Sequence, residues 1–521
     1  MTDRFARPDG STDAECDLYQ YCGGTWAGII NKLDYIQEMG FTAIQISPVV
    51  ENIDNNTEYG EAYHGYWPIN NYAINKHFGD ESDLIQLAKE VHDRDMYLMV
   101  DVVINNMAQA INGSMPQPID YSRFVPFNDE KYFHPYCAVE DWTNTTETQD
   151  CYIYSEVVAL PDLATESQTV IDMTGQWIKE LVSNYSIDGL RIDAAKHVND
   201  AFLPPFVEAA GVFTFGEVYS GGTEDLCRYQ QENLLAGLPD YLEYFPLIRA
   251  FTLGLMRELA DQVVATRESC TDVSVLGSFS ENHDLSRFAS LTPDITLAKN
   301  VLAYVILSDG IPTIYQGQEQ HYTGDDSPEN RKELWSSGYD TSALLFNVTA
   351  TLNRLRNHAI NTDENYVTTL SEELYLDNST YCTRKGSDDK QVVACFSNQG
   401  STGGDYQLIV PGAFEEGTEV VEIFSCNKTT ASAGGNITAA MGKGEPMAWY
   451  STVNMKGTGL CNYTNDDNTN SVTGSATTTA GSSATQSNSQ ASETNVASGL
   501  TRLRVADILL GIFVTIGFCL L

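Results

Sequence analysis

The chain has 521 residues, and 71 acidic side chains against 29 Lys and Arg give a formal charge of −42, with an isoelectric point near 4.3. That balance cannot neutralise a phosphate backbone, so nucleic acid is excluded as a partner. Hydrophobic residues at 42% supply a sizeable core, and a Tyr-rich composition with only 19% charged residues suits a secreted protein handling a neutral substrate such as carbohydrate.

Amphipathic helices and short apolar strands then alternate. Helix Ile29–Met39 leads through Gly40 into strand Phe41–Ile46, and helix Asp83–Val91 into strand Tyr97–Val103. Helix Val170–Ser183 leads into Gly189–Asp193, and helix Ala201–Ala209 into Val212–Glu217. Strand Val273–Phe279, helix Ile295–Leu307, strand Ile311–Tyr315 and helix Ala343–His358 follow. Repeated βα units of this kind predict a parallel sheet. A further strand is expected near Leu238–Tyr241, in the long gap before Val273. That makes seven, whereas a parallel barrel closes with eight. The first strand is therefore expected to precede residue 1, leaving an open edge on each side of the gap.

The stretch Ala108–Ala159 is too long for a βα loop and reads as a subdomain inserted after the barrel's third strand. Beyond about Asn361 the pattern changes to short strands at Glu373–Leu376, Tyr381–Arg384, Gln391–Phe396, Tyr406–Ile409 and Glu419–Phe424. The expected division is an α/β (β/α)8 TIM barrel over 1–107 and 160–360, the insert over 108–159, and an antiparallel β-sandwich over 361–461. A stalk over 462–500 and a tail over 501–521 complete it.

Eleven cysteines without zinc-like spacing suggest local disulfides: Cys16 with Cys22, Cys137 with Cys151, Cys227 with Cys270, Cys382 with Cys395 and Cys426 with Cys461, leaving Cys519 over. Glycosylation sequons begin at Asn55, Asn112, Asn144, Asn184, Asn347, Asn378, Asn427, Asn436 and Asn462, which together with the cysteines argues for the secretory pathway. The stalk is rich in Ser, Thr, Asn and Gly and cannot bury a core. Small residues around Asn495–Gly499, a polar spacer and the terminal apolar run Ile508–Leu521 match a GPI-attachment signal, with Asn495, Ala497 and Ser498 as candidate attachment residues. A tail-anchored membrane helix is the alternative. Met1-Thr2-Asp3-Arg4 opens no signal peptide, so Met1 is expected to be internal to a longer protein.

In a (β/α)8 barrel the chemistry sits at the C-terminal strand ends. Those ends carry Asp101, Asp193 with Arg191 two residues before it, Glu217, and Glu281-Asn282-His283-Asp284. One such Asp is more often a helix N-cap, but four acidic strand ends converging on one mouth fit glycoside hydrolysis or a metal centre. No His-rich spacing supports a catalytic metal. The blocks Tyr21–Trp26 (YCGGTW), Tyr63–Trp67 (YHGYW), Asp101–Asn106 (DVVINN), Gly189–His197 (GLRIDAAKH), Glu217-Val218, Glu281–Asp284 (ENHD) and Gly310–Gln320 (GIPTIYQGQEQ) closely resemble glycoside hydrolase family 13, the α-amylase family, and in particular its secreted fungal members. The resemblance runs over about residues 2–461.

It implies a retaining double displacement on α-1,4-glucan or malto-oligosaccharide, with Asp193 as nucleophile, Glu217 as general acid/base and Asp284 stabilising the oxocarbenium-like transition state. A retaining pair stands about 5 Å apart, with the acid's pKa raised and the nucleophile's kept low; Arg191 is expected to keep Asp193 ionised, and Asp101 to orient Arg191. Tyr66 would stack under the reacting sugar beside Trp67, with His64 and His283 hydrogen-bonding it and Arg331 on the donor side. Lys196, His197, Tyr219 and Gly221 would face the leaving group. The family's calcium ion maps to Asn105, Gln149, Asp162 and the carbonyl of His197; Gln149 replaces a carboxylate of fungal homologues, so a weakened Ca2+ site is expected.

The chain departs from the family pattern at Asn106, where the family has His, at Ser327, where Asp is common, and at Tyr219-Ser220, where fungal amylases have Leu-Asp. Asn106 and the GPI signal together resemble the wall-anchored fungal branch, whose members act as 4-α-glucanotransferases. Tyr219 could hold an acceptor sugar and exclude water, or it is a packing residue. Three functions follow: a cell-surface, GPI-anchored α-amylase-type hydrolase acting as a monomer, a 4-α-glucanotransferase in wall α-glucan synthesis, or an inactive α-glucan-binding pseudo-enzyme.

Overall fold

The structure, a computed structural model, describes residues 1–464 and the strand Phe513–Thr515. Its centre is a sheet of eight parallel strands: β1 Ala43–Ile46, β2 Tyr97–Val102, β3 Gly189–Ile192, β4 Phe213–Gly216, β5 Leu238–Pro239, β6 Leu276–Ser278, β7 Ile311–Tyr315 and β8 Phe513–Thr515. Their order is β4-β3-β2-β1-β8-β7-β6-β5. The ring closes where Phe215 on β4 bridges Gly237 just before β5. β1, β3, β4 and β7 are short, mostly apolar and buried throughout, as strands covered by helices must be.

The edge next to β1 is not open, contrary to the sequence expectation. Phe513–Thr515 pairs in parallel with Ala43–Gln45 on one side and Thr313–Tyr315 on the other. An aromatic and β-branched segment satisfies the backbone groups that an empty slot would leave unpaired. The expected stalk, Asn495, Ala497, Ser498 and Cys519 lie outside the described residues.

Alternation along the strands positions the chemistry. Residues two apart share a face, so Met99 precedes Asp101 and Phe215 precedes Glu217 on the inner side of the barrel. Ala43, Met99, Phe213, Phe215, Val275 and Ile311 form the plug beneath. Packing there is tight: a Cβ on Gly277 would fall 2.2 Å from the Phe215 ring. Acidic residues one step further along stand above this plug.

The strand expected near Leu238–Tyr241 is present as β5, while one helix expectation is revised. The helix expected over 29–39 is split into Trp26–Ile30 and Leu33–Glu38, with Thr25 Oγ1 capping the first through the Gly28 N–H. The gap before β6 holds three helices, Thr223–Gln231, Tyr241–Thr252 and Met256–Ser269. After helix Leu344–Thr362 the chain forms a six-stranded antiparallel sheet facing the two-stranded sheet Tyr406–Val410/Ile437–Met441. Between them lies a core of Cys382, Val393, Leu408, Ile437 and Trp449.

All five expected disulfides form. Cys16 bonds to Cys22 within one loop, and Cys137 to Cys151 within the insert. Cys227, inside helix Thr223–Gln231, bonds to Cys270, the residue that ends helix Met256–Ser269, so the two helices are tied together. Cys382 and Cys395 face each other in register on neighbouring strands. Cys426 bonds to Cys461, which fastens the end of the domain to the turn after strand Glu419–Glu422. Cys426 and Cys461 both take left-handed backbone, at φ +59° and +50°.

Candidate active site

Arg191 organises the mouth of the barrel. Its Nη1 donates to both oxygens of Asp101 (3.0 and 3.1 Å) and to Asp193 Oδ1 (2.9 Å), and Nη2 lies 2.8 Å from Glu217 Oε2. All four side chains are buried. One guanidinium thus holds three carboxylates, from β2, the end of β3 and the end of β4. The backbone N–H of Ala194 also donates to Glu217 Oε2, at 3.0 Å. Ala194 reaches that position with φ +46°, a left-handed conformation that costs a non-glycine residue free energy. The ionic and backbone contacts both fall on Oε2.

Burial pushes Glu217 up from its ordinary pKa, with Arg191, the Ala194 N–H and the Tyr241 hydroxyl opposing. Asp101 is pushed up to about 7 by burial, against Arg191 and the hydrogen bond from Tyr66. Asp193 departs from the sequence expectation: burial raises it as well and outweighs the pull of Arg191. The reason is arithmetic, because a single cation cannot hold three desolvated carboxylates ionised at the cost ordinary for one.

The other expected residues surround this cluster. The Tyr66 hydroxyl donates to Asp101 Oδ2 at 2.8 Å, and its ring lies stacked between His64 and His283, at 5.6 and 5.7 Å. His64 Nδ1 accepts the Tyr66 N–H at 3.0 Å, so its Nε2 carries the proton; burial holds His64 and His283 neutral, well below the usual imidazole range. Asp284 pairs with Arg331 Nη2 at 3.3 Å and stands 3.4 Å from His283 Nε2. A cavity of about 240 Å³ opens beside Asp193 and is lined by His64, Tyr66, Trp67, Asn106, Ser327 and Arg331 among others. Tyr219 is 44% exposed and packs edge-on against Tyr241 and Phe245. The disulfide residues Cys270 and Cys461 line no part of this cavity and hold the scaffold behind it.

Lys196 lines a separate hollow together with Trp142 and Val218, and its Nζ donates to the Trp142 carbonyl. The rest of the expected leaving-group side is placed differently. The His197 ring is buried against the insert, with Nδ1 2.9 Å from the Thr148 carbonyl, and Gly221 sits under the Phe245 ring. Sequence reasoning missed Tyr241, whose hydroxyl accepts from Asn282 Nδ2 at 3.2 Å, and the Ala194 N–H. Nothing in the sequence marks an alanine for left-handed backbone.

The residues expected to hold calcium do not make a calcium site. Asn105 Nδ2 donates to Asp162 Oδ1 at 3.0 Å, while His134 Nδ1 takes the other carboxylate oxygen at 2.7 Å. Burial lowers the His134 pKa, but the hydrogen bond and charge of Asp162, with Glu166 and Asp150, outweigh it and push it up to about 9. The one charged ligand is thus already paired with an imidazolium. Gln149 turns its amide to Asp200, 3.2 Å away. Asn105 Oδ1 is buried without a partner, but the one charged ligand is shared with His134, and calcium takes about six to eight oxygens with several charged ones among them. Among the described residues no group of three or more His, Cys, Asp or Glu is placed to hold a metal.

A barrel with these acids at its mouth is matched by the model of the α-amylase catalytic domain over residues 1–209 and 205–373, and by that of α-amylase domain C over 373–469. The chain belongs to the α-amylase family. It is 46% identical over 466 residues to an α-amylase 1 of Schwanniomyces occidentalis, covering 89% of this chain and 90% of that protein. To an α-amylase of Saccharomycopsis fibuligera it is 45% identical over 450 residues, covering 86% and 89%. The solved structure of an α-amylase from Malbranchea cinnamomea superposes with a TM-score of 0.85 at 44% identity, covering 88% of this chain and 97% of that one. The protein is an α-amylase-type glycoside hydrolase with five disulfides.

Proposed function

We propose that the protein cleaves α-1,4-glucosidic bonds of starch-like glucans and malto-oligosaccharides through a covalent glycosyl-enzyme intermediate. The observation that carries this reading is the division of contacts on the two carboxylates. Glu217 Oε2 is held by Arg191 and the Ala194 N–H, and Asp193 Oδ1 by Arg191, so each acid offers one oxygen to the substrate. Asp193 Oδ2 attacks the anomeric carbon while Glu217 Oε1 gives its proton to the departing glycosidic oxygen. The C–O bond breaks and an acyl-type glycosyl ester on Asp193 forms. An acceptor hydroxyl then returns a proton to Glu217 and attacks the same carbon, which releases the Asp193 carboxylate. Asp284, fixed by Arg331, stabilises the positive charge that develops on the sugar ring. Tyr66 and His64 bind that ring, and His283 supplies a further neutral donor.

Whether water or a sugar attacks decides between hydrolysis and 4-α-glucanotransfer. The transfer reading is favoured by Tyr219, whose exposed ring stands where the charges of both Glu217 and Asp284 act on it, on the side from which an acceptor arrives. Asn106 in the donor cavity is the second departure that supports it. The product ladder from maltopentaose tests this. Products longer than the substrate establish transfer, shorter products alone establish hydrolysis, and an absence of both with Asp193 intact establishes a glucan-binding pseudo-enzyme.

Attachment to the cell surface through a GPI anchor at Asn495, Ala497 or Ser498 is supported by the composition of 495–521 and by nine glycosylation sequons. Such attachment replaces the tail that carries β8. Release of full-length protein from cells by phosphatidylinositol-specific phospholipase C is the expected result, and protein that stays membrane-bound after that treatment contradicts it.

A further inference from the structure

The chain has six tryptophans, and Trp142 differs from the other five. They are no more than 8% exposed, whereas Trp142, in the insert, is 49% exposed. Its ring meets His197 edge-on, 5.8 Å between centroids at 83°, and its carbonyl accepts from Lys196 Nζ. Trp142 also borders the hollow of about 110 Å³ that Thr143, Thr145, Thr148 and Lys196 help to line. This hollow shares no residue with the cavity beside Asp193. An apolar ring beside hydroxyls is suited to holding a sugar, whose C–H groups meet the ring face while its edge finds hydrogen bonds.

A sugar can be attached within reach. Two residues on stands Asn144, the acceptor of the sequon Asn144-Thr145-Thr146, and all three residues are exposed. Two residues of extended chain span at most about 7 Å, so a sugar bonded to Asn144 begins next to the indole. The loop holds this spacing. Glu147 Oε1 accepts from Asn144 Nδ2 at 2.9 Å, and Oε2 accepts the N–H groups of Glu140 and Asp141 at 3.0 and 2.9 Å. A side-chain amide nitrogen has two hydrogens, so one is open to substitution while the bond to Glu147 persists. The sequon at Asn347 is the contrast. There Nδ2 donates to the carbonyls of both Thr341 and Ala343, at 3.2 and 3.0 Å, and the preceding ring, Phe346, is buried.

We propose that Asn144 carries an N-linked glycan whose first N-acetylglucosamine lies on the exposed part of Trp142, over the hollow. The secretory pathway supplies a lipid-diphosphate-linked oligosaccharide. Asn144 Nδ2 bonds to C1 of its first sugar, the C1–O bond to the diphosphate breaks, and the amide gives up one proton as the lipid diphosphate departs. The sugar then covers a ring of a kind that is otherwise mostly buried, at the place where the insert meets Lys196 and His197. The inference rests on the secretory reading of the nine sequons.

The experiment uses the full chain purified from its native cells, with Asn144→Gln and Thr146→Ala variants made in the same cells. Peptide mass spectrometry is expected to find the glycan on Asn144 in the unsubstituted chain and on neither variant. Hydroxyl-radical footprinting, read after the sugar is stripped from the peptides, is expected to oxidise Trp142 at least about threefold more slowly in the glycosylated protein than in either variant, the effect of one stacked ring. Buried Trp177 is the control and stays at one rate in all three. Trimming the glycan to its first N-acetylglucosamine with an endoglycosidase keeps the protection, and this arm needs no substitution. Equal Trp142 oxidation with and without the glycan overturns the stacking. An unmodified Asn144 beside other glycosylated sequons overturns the site and leaves the secretory reading standing. A chain with no glycan on any sequon overturns both.

Discussion

Two places in the molecule gather three acids around one cation, all buried at the first and only Asp162 buried at the second. At the barrel mouth Arg191 is shared among Asp101, Asp193 and Glu217. At the junction of barrel and insert His134 is shared among Asp162, Glu166 and Asp150. At the mouth, three carboxylates face a guanidinium that stays charged at any accessible pH, and burial raises the pKa of all three acids. At the junction the cation is itself an imidazolium, and His134 and the amide of Asn105 together take both oxygens of Asp162. At the mouth the shared cation touches one oxygen each of Asp193 and Glu217, while Asp101 gives it both of its oxygens.

Breaking the first cluster has the largest expected effect. Asp193→Asn removes the nucleophile and is expected to lower turnover of malto-oligosaccharides by at least about 10⁴-fold, measured with protein whose thermal unfolding matches the unsubstituted chain. Activity that survives this change belongs to another mechanism. Glu217→Gln follows with a loss of about 10²–10⁴-fold on substrates with poor leaving groups, and it removes the alkaline limb of the pH–rate profile. The unsubstituted enzyme should show a bell. Its acid limb is the ionisation of Asp193 and its alkaline limb the loss of the Glu217 proton, and both lie above the ordinary carboxylate range of about 4 because burial raises both groups. An acid limb at or below 4 contradicts the burial argument.

Breaking the second cluster costs stability rather than chemistry. His134→Gln leaves Asp162 buried without its cation and is expected to destabilise the fold by about 3–5 kcal/mol in denaturant unfolding. A chelator such as EDTA, by contrast, is expected to leave the unfolding midpoint within experimental scatter, because Asp162 is already paired with His134. A large drop in the midpoint on chelation sinks that part of the account. The smallest effect is at Ala194. Ala194→Gly relieves the left-handed strain and is expected to stabilise by about 1 kcal/mol at most, offset in part by the greater freedom of glycine in the unfolded chain.

What was legible in the sequence follows from the same physics. Asp101, Arg191, Asp193 and Glu217 could be read because strand alternation and barrel closure alone send strand-end residues to one mouth. The tyrosines of the cavity wall could not, because Tyr19, Tyr59 and Tyr154 lie on loops whose meeting depends on two disulfides. The three last strands of the C-terminal domain, Lys428–Thr430, Ile437–Met441 and Met447–Ser451, escaped because Gly- and Ala-rich stretches between them blur the two-residue period. The break at Asn31-Lys32 escaped because its apolar positions keep helical spacing across it. The pKa of Asp193 was misjudged by reasoning from its nearest neighbour, when the decisive fact was the burial of the carboxylate, to which the charges of Glu217 and Asp101 add. The pairing of β8 with β1 and β7 links residues hundreds of positions apart, and a composition suited to a membrane signal gave no hint of it.

The central claim, a covalent intermediate on Asp193 with Glu217 as the acid, is tested most directly by mass spectrometry of the Glu217→Gln variant mixed with α-maltosyl fluoride. Fluoride leaves without an acid, so the first step proceeds while the second, which needs the base, stalls. The account predicts a maltosyl adduct that maps to the peptide containing Asp193. Fluoride release with no adduct and an inverted sugar product, or an adduct on any other residue, contradicts it.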